Sequence, residues 1–205
     1  MIFSSNFLPC LAYMISILKE NQINIWKNEP FRKQTYKTRA YILGPHKVET
    51  LNVPVKKPRN NCPLDEVLID YSENWQVKNW RTIETAYKNS PYFEYYDYLI
   101  KPLFDSKIER LLDLNSLSMS ICLKILKLDK TICPLEFSYF ENKNQFISFN
   151  AKNREEDVIN YQGVSYYQNF GSKFEKNLSI IDLIFCKGPE SLSILNNSLA
   201  ASEML

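Results

Sequence analysis

The sequence has a single histidine, His46, and only four glycines in 205 residues. One histidine excludes a Ser-His-Asp set, an HExxH motif and any multi-histidine metal site. Glycine is too scarce for a phosphate-cradling loop, and no GxxxxGK[ST], GxGxxG or GxSxG occurs. The acidic residues form no DxD pattern, which removes the usual handle for a bridging divalent cation. The five cysteines (Cys10, Cys62, Cys122, Cys133 and Cys186) are odd in number and widely spaced, with no CxxC pair. They read as reduced, mostly buried thiols in a cytoplasmic protein, with no disulfide framework and no zinc site. Net charge is only +2, so no global field draws the chain to nucleic acid or an anionic membrane. The apolar run from Phe7 to Leu18 is too short to span a bilayer, and it lacks a basic leader and a small-residue cleavage site. Neither metal nor cofactor is expected, and membrane insertion is not.

What remains is an ordinary soluble composition with ample apolar and aromatic residues for one core. "MIF" reads as a strand, Leu8 to Leu18 as a helix and Ile23 to Trp26 as a second strand. "RAYIL" and "ETLNVPV" flank "GPHK" as a hairpin, and "VLIDY" reads as another short strand. Helices are expected over Trp75–Lys88, Tyr92–Phe104 and Lys107–Leu128, and "NLSIIDLIFCKGPES" carries helix start and stop signals. The stretch from Glu141 to Asp157 is polar and irregular, a loop by composition. The expected fold is α/β (or α+β): an N-terminal βαβ-like unit and β-hairpin, then a mainly helical second half. It forms a single domain over residues 1–196, with 197–205 a frayed tail.

Several constellations carry possible chemistry. "RKQTYKTR" places Arg32, Lys33, Lys37 and Arg39 within eight residues, interleaved with Tyr36; such a loop suits phosphate or carboxylate, or is a solvated basic stretch. The helix from Trp75 sets Lys78, Arg81 and Lys88 beside Trp75, Trp80 and Tyr87. Cations next to aromatic faces suit sugar rings and bases, although an amphipathic helix burying its aromatics has the same pattern. Asn115 falls on an apolar stripe, where its amide must find partners or face a pocket. Asp182 sits among Ile180, Ile181, Leu183, Ile184 and Phe185 in a helix apolar on every side, as a buried carboxylate or a first-turn cap. Glu190 begins the next helix. Cys186, with no histidine to activate it, reads as an inert core thiol rather than an amidase nucleophile.

Taken in order, "NFLPCLAYM", "RKQTYKTRAYIL", "LNVPVKK", "VLIDYSENWQVKNWRTIETAYKNSPYFEYY", "LLDLNSLS", "VSYYQNF" and "NLSIIDLIFCKGPES" resemble the WbqC-like family, in particular its Bacteroidota-type members. The resemblance runs from about Asn6 to Leu195. It implies a small cytoplasmic bacterial protein of surface-polysaccharide (O-antigen) biosynthesis, with a suggested glycine transferase role. The expected substrate is then a small molecule, an amino sugar or sugar nucleotide with a glycyl donor. Asp182 or Glu190 is the candidate base. Lys33, Arg39 and Arg81 are candidates to grip phosphate or carboxylate, with Tyr36, Trp75, Tyr87 and Asn115 completing the binding site. The alternative is a non-catalytic binding or assembly protein of the same pathway. Three positions depart from the family pattern: Asn79 and Asn150 stand where histidine is common, and Cys186 where asparagine is. If those histidines do acid–base work, activity is altered in this chain; if they are structural, little changes.

Overall fold

The computed structural model describes residues 1–137, 146–149 and 163–203. Strand β1 (Ile2–Phe3), helix α1 (Leu11–Ile17) and strand β2 (Gln22–Trp26) form the expected βαβ unit. The strands are parallel, with Ile2 opposite Asn24 and Phe3 opposite Ile25. Phe3, Ile23 and Ile25 are buried beside the inner face of α1, where Leu11, Tyr13, Met14 and Ile17 point inward. Strands β3 (Arg39–Leu43) and β4 (Val48–Asn52) pair antiparallel as a separate hairpin, Arg39 opposite Asn52 and Leu43 opposite Val48. "VLIDY" makes isolated bridges instead of the predicted strand: Ile69 pairs with Val55, and Leu68 with Arg110.

Helix α2 (Trp75–Tyr87) buries Trp75, Trp80, Ile83 and Tyr87 along one face. The next predicted helix is broken into α3 (Phe93–Ile100) and α4 (Pro102–Asp105), because Pro102 has no N–H to continue the ladder and suits a first helical turn. Helix α5 (Leu111–Ile125) packs on α3 and α4. Two strands that the sequence pattern does not announce complete the parallel sheet. β5 (Thr131–Leu135) pairs with β2, and β6 (Phe146–Ile147) pairs with β1, giving the order β5-β2-β1-β6. Pro134 is tolerated because β5 lies at an edge, where one row of N–H groups needs no partner. β6 falls inside the stretch read as a loop. Residues 141–145 and 150–157 of that stretch, Asn150 among them, lie outside the described residues.

Helix α6 (Ile180–Lys187) is buried from Ile180 to Cys186, as its all-round apolar sequence predicts. It packs against α2, α3, α5 and β3, and so forms the centre of the helical half. Helix α7 (Ser191–Glu203) follows after a 3-10 turn at Gly188–Glu190 and lies against α1. The turn depends on Gly188. Its φ is +49°, and a Cβ there would lie 2.4 Å from the Tyr92 ring. Tyr92 cannot easily withdraw, because its N–H is held by the Phe185 carbonyl at 3.1 Å. Gly188→Ala is therefore expected to lower stability by about 2 kcal/mol, through left-handed strain and overpacking. Urea unfolding measures this; a change within about 0.5 kcal/mol of zero would mean that the turn relaxes freely.

Among the described residues no helix is long and apolar enough to cross a membrane. All five cysteines are free.

Candidate functional site

Two buried polar centres stand out, one in the helical half and one at the sheet. The first surrounds Asp182, which is 0% exposed. Its Oδ1 accepts from the Tyr87 hydroxyl at 2.6 Å. Its Oδ2 accepts from the Tyr166 hydroxyl at 2.7 Å and from Gln168 Nε2 at 3.1 Å. Gln168 is held in turn by the backbone of Glu175, donating to its carbonyl and accepting from its N–H. The Tyr87 hydroxyl accepts from Leu43 N–H at 3.4 Å. One carboxylate thus ties α6 to α2, to the end of β3 and to the segment before α6.

Burial raises the Asp182 pKa above the ordinary carboxylate range, and its three hydrogen bonds oppose that rise. Burial, and then the neighbouring carboxylate, push the Tyr87 and Tyr166 hydroxyls well up, so both stay neutral donors. The capping reading is not what forms. Asp182 N–H bonds the Ser179 carbonyl at 3.0 Å, while its carboxylate faces the tyrosines. The Ser179 hydroxyl goes to the Leu8 carbonyl at 2.8 Å. Cys186, one turn on, is an inert thiol; burial pushes it up to about 12.

The second centre lies where β1 and β2 end. Ser4 follows β1 directly, and Glu29 lies three residues past the end of β2. The Glu29 carboxylate accepts from Lys37 Nζ at 2.7 Å on one oxygen and from the Ser4 hydroxyl at 2.7 Å on the other. Tyr13 donates to the Ser4 carbonyl at 3.0 Å, and Asn115 Nδ2 donates to the Lys37 carbonyl at 3.0 Å. The ion pair is almost wholly buried, with side chains 6% and 11% exposed. Beside it the chain turns at Leu8, whose φ of +40° is costly for a leucine. Leu8 is held there from both sides: its N–H donates to Ser118 Oγ on α5, and its carbonyl takes the Ser179 hydroxyl.

In open α/β sheets, ligands bind outside the carboxyl ends of the strands, at the point where the strand order reverses. Here the chain leaves β1 towards β2 on one side, and β6 joins β1 on the other. The carboxyl ends of β1 and β2 meet Ser4, Asn6, Glu29 and Lys37 at that place.

The residues singled out from sequence are distributed as follows. Tyr87 and Asp182 are brought into direct contact. Tyr36 and Asn115 adjoin Lys37: Tyr36 precedes it and is buried edge-on to Tyr41, and Asn115 bonds its carbonyl. Lys33 is exposed and Arg39 half-buried, in the segment that carries Lys37. Trp75 is buried against Tyr71 and Phe104. Arg81 is exposed on the opposite face of α2. It lines, with Lys78, Glu49 and Gly44, a surface depression of about 610 Å³ between α2 and the hairpin. That depression has ligand-like size, but its lining is mostly exposed and holds no buried polar cluster; the sheet edge holds such a cluster beside a void of only about 10 Å³. Glu190 is exposed, 3.7 Å from Lys187. Sequence reasoning missed Ser4, Glu29 and the inward turn of Lys37. The one available signal was that Lys37 belongs to a basic run preceded by a lone acid in "KNEPF". Among the described residues no cluster of His, Cys, Asp and Glu could hold a metal ion.

The whole-chain pattern decides the family. The sequence profile of the WbqC-like protein family matches residues 4–147 and 137–194. The chain belongs to this family. It is also similar to "Uncharacterized protein Rv1507c" of Mycobacterium tuberculosis (strain ATCC 25618 / H37Rv), 22% identical over 218 residues, covering 93% of this chain and 94% of that one. No solved structure matches. Asn79 is the position on α2 where the resemblance implies histidine. Here its amide donates to the Asn52 carbonyl at 3.0 Å and accepts from the Asn52 N–H at 3.3 Å. In this chain that position fastens α2 to the end of β4.

Proposed function

We propose that this protein is a cytoplasmic transferase of surface-polysaccharide biosynthesis. It moves a glycyl or similar acyl group from an activated donor onto the amine of an amino sugar or sugar nucleotide. The observation that carries the reading is the buried Ser4–Glu29–Lys37 cluster at the carboxyl edge of the parallel sheet. In this reaction a C–N bond forms, the bond from the acyl carbon to the donor's leaving group breaks, and the amine loses a proton. Glu29 receives that proton, and a proton passes to the leaving group. The Lys37 ammonium, within the same cluster, stabilises the oxyanion that develops on the acyl carbonyl oxygen. Lys33 and Arg39 flank Lys37 and supply cations for a phosphate or carboxylate. Asp182 takes a positioning role in this reading, fixing α2 and β3, and Glu190 remains a surface residue.

The test is turnover. Purified protein with an activated glycyl thioester and UDP-linked glucosamine is expected to give a product heavier by one glycyl group. Glu29→Gln is expected to retain sugar-nucleotide binding and to lose at least about 100-fold in rate. A Glu29→Gln enzyme as fast as the wild type would remove Glu29 from the chemistry.

The second reading, a binding or assembly protein without turnover, draws on Asn79. A side chain held by backbone bonds does no acid–base work there. Thermal stabilisation by UDP-linked glucosamine with no product would favour it.

A further inference from the structure

The depression between α2 and the hairpin, about 610 Å³, lies within the size range of small-molecule sites. Its two walls are tied together by hydrogen bonds. Asn79 on α2 makes both of its amide bonds to the Asn52 backbone, and the Tyr87 hydroxyl receives the Leu43 N–H. One wall is a stripe of α2: Lys78, Arg81, Thr82 and Thr85 recur at the spacing of a single helix face. The other wall carries Glu49, half-buried on the hairpin. Gly44 gives Glu49 room to lie across the turn, since a Cβ there would come 2.8 Å from Glu49 Cγ.

Two cations and one carboxylate thus line one depression. Among the described residues none of the three forms an ion pair, with one another or with any other charge. The threonines add a direction to the hydrogen bonding. Thr82 donates its hydroxyl to the Lys78 carbonyl at 3.0 Å, and Thr85 donates to the Arg81 carbonyl at 2.8 Å. Their oxygens are left only to accept. The complementary ligand therefore carries acid groups for Lys78 and Arg81, and an ammonium for Glu49 and the threonines. No aromatic ring lines the depression, so a nucleotide base would find nothing to stack on.

We propose that this depression binds an amino dicarboxylate, an acidic amino acid of the glutamate type. Its carboxylates go to Lys78 and Arg81, and its ammonium goes to Glu49. The site shares no residue with the Ser4–Glu29–Lys37 cluster, so it goes beyond the transferase reading and does not rest on it.

Isothermal titration of the full chain with L-glutamate, glutarate and 4-aminobutyrate tests each group in turn. Glutarate is glutamate without its ammonium, and 4-aminobutyrate is glutamate without its α-carboxylate. Each analogue is expected to bind at least about tenfold more weakly than glutamate. Arg81→Gln is expected to weaken glutamate about tenfold as well. Glu49→Gln is expected to weaken glutamate and to strengthen glutarate, because the repelling carboxylate is gone; a merely structural role would move both ligands the same way. If a variant fails to fold, the three-ligand comparison on the wild type decides. Glutarate as tight as glutamate, or no glutamate binding at millimolar concentration, would overturn the proposal. Displacement of glutamate by UDP-linked glucosamine would overturn it too, and would hand the depression to a sugar nucleotide.

Discussion

Asp182→Ala is expected to remove about 4 kcal/mol of folding stability, the largest loss from any single substitution at the buried acid's own cluster. The change takes the acceptor from three donors at once, on Tyr87, Tyr166 and Gln168, of which Gln168 keeps its bond to the Glu175 carbonyl. A buried group left without its partner costs about 1–3 kcal/mol, and removal of the side chain also leaves a small void. Urea unfolding of the variant beside the wild type measures the loss. A companion experiment fixes the sign of the charge effect. Burial raises the folded carboxyl's pKa, so between the unfolded and folded values the native state holds the extra proton. Asp182's contribution to stability is then fullest below the ordinary carboxylate range and is lost as pH rises through the raised value. The stability of wild type minus that of Asp182→Asn is expected to fall as pH rises from about 4 towards neutrality. A difference that rises over the same range would mean that the three hydrogen bonds outweigh burial.

Lys37→Met is expected to cost about 3–5 kcal/mol, because it strands the Glu29 carboxylate in a dry site with the Ser4 hydroxyl as its remaining partner. Replacement of both ends, as in Glu29→Gln with Lys37→Met, is expected to cost less than Lys37→Met alone, since no unpaired charge remains. A double-mutant cycle reads this directly. Additive losses would mean that the two side chains do not depend on each other. The same cycle separates function from folding. The double variant is expected to be folded and without turnover, which a merely structural ion pair would not predict.

The sequence made some of this visible and hid the rest for physical reasons. Helix α6 was legible because apolar residues on every side leave no solvent face, and the burial of Asp182 followed from that. The βαβ unit and the hairpin were legible from short apolar runs divided by turn chemistry. Strand β5 was not, since "TICPL" is interrupted by a proline that only an edge position excuses. Two-residue β6 has no pattern to detect. At the sheet edge, the basic run could be seen, but a loop has no periodicity to show which of its cations turns inward. Lys37 does so because Glu29, eight residues earlier, lies across the end of β2, a relation set by tertiary structure. Likewise, Lys78 and Arg81 share a helix with Trp75 and Tyr87 yet lie on its other face. The sequence offered the amphipathic reading and the binding-wall reading equally, and packing chose the first.

Substrate is expected to bind at the carboxyl edge of the parallel sheet, beside Glu29 and Lys37. A crystal structure of the protein with UDP-linked glucosamine tests it most directly. The amino sugar is expected against Ser4, Asn6, Glu29 and Lys37, with the phosphates towards Lys33 and Arg39. A ligand seated instead in the depression beside Arg81, or one that opens the tyrosine cluster to reach Asp182, would contradict it.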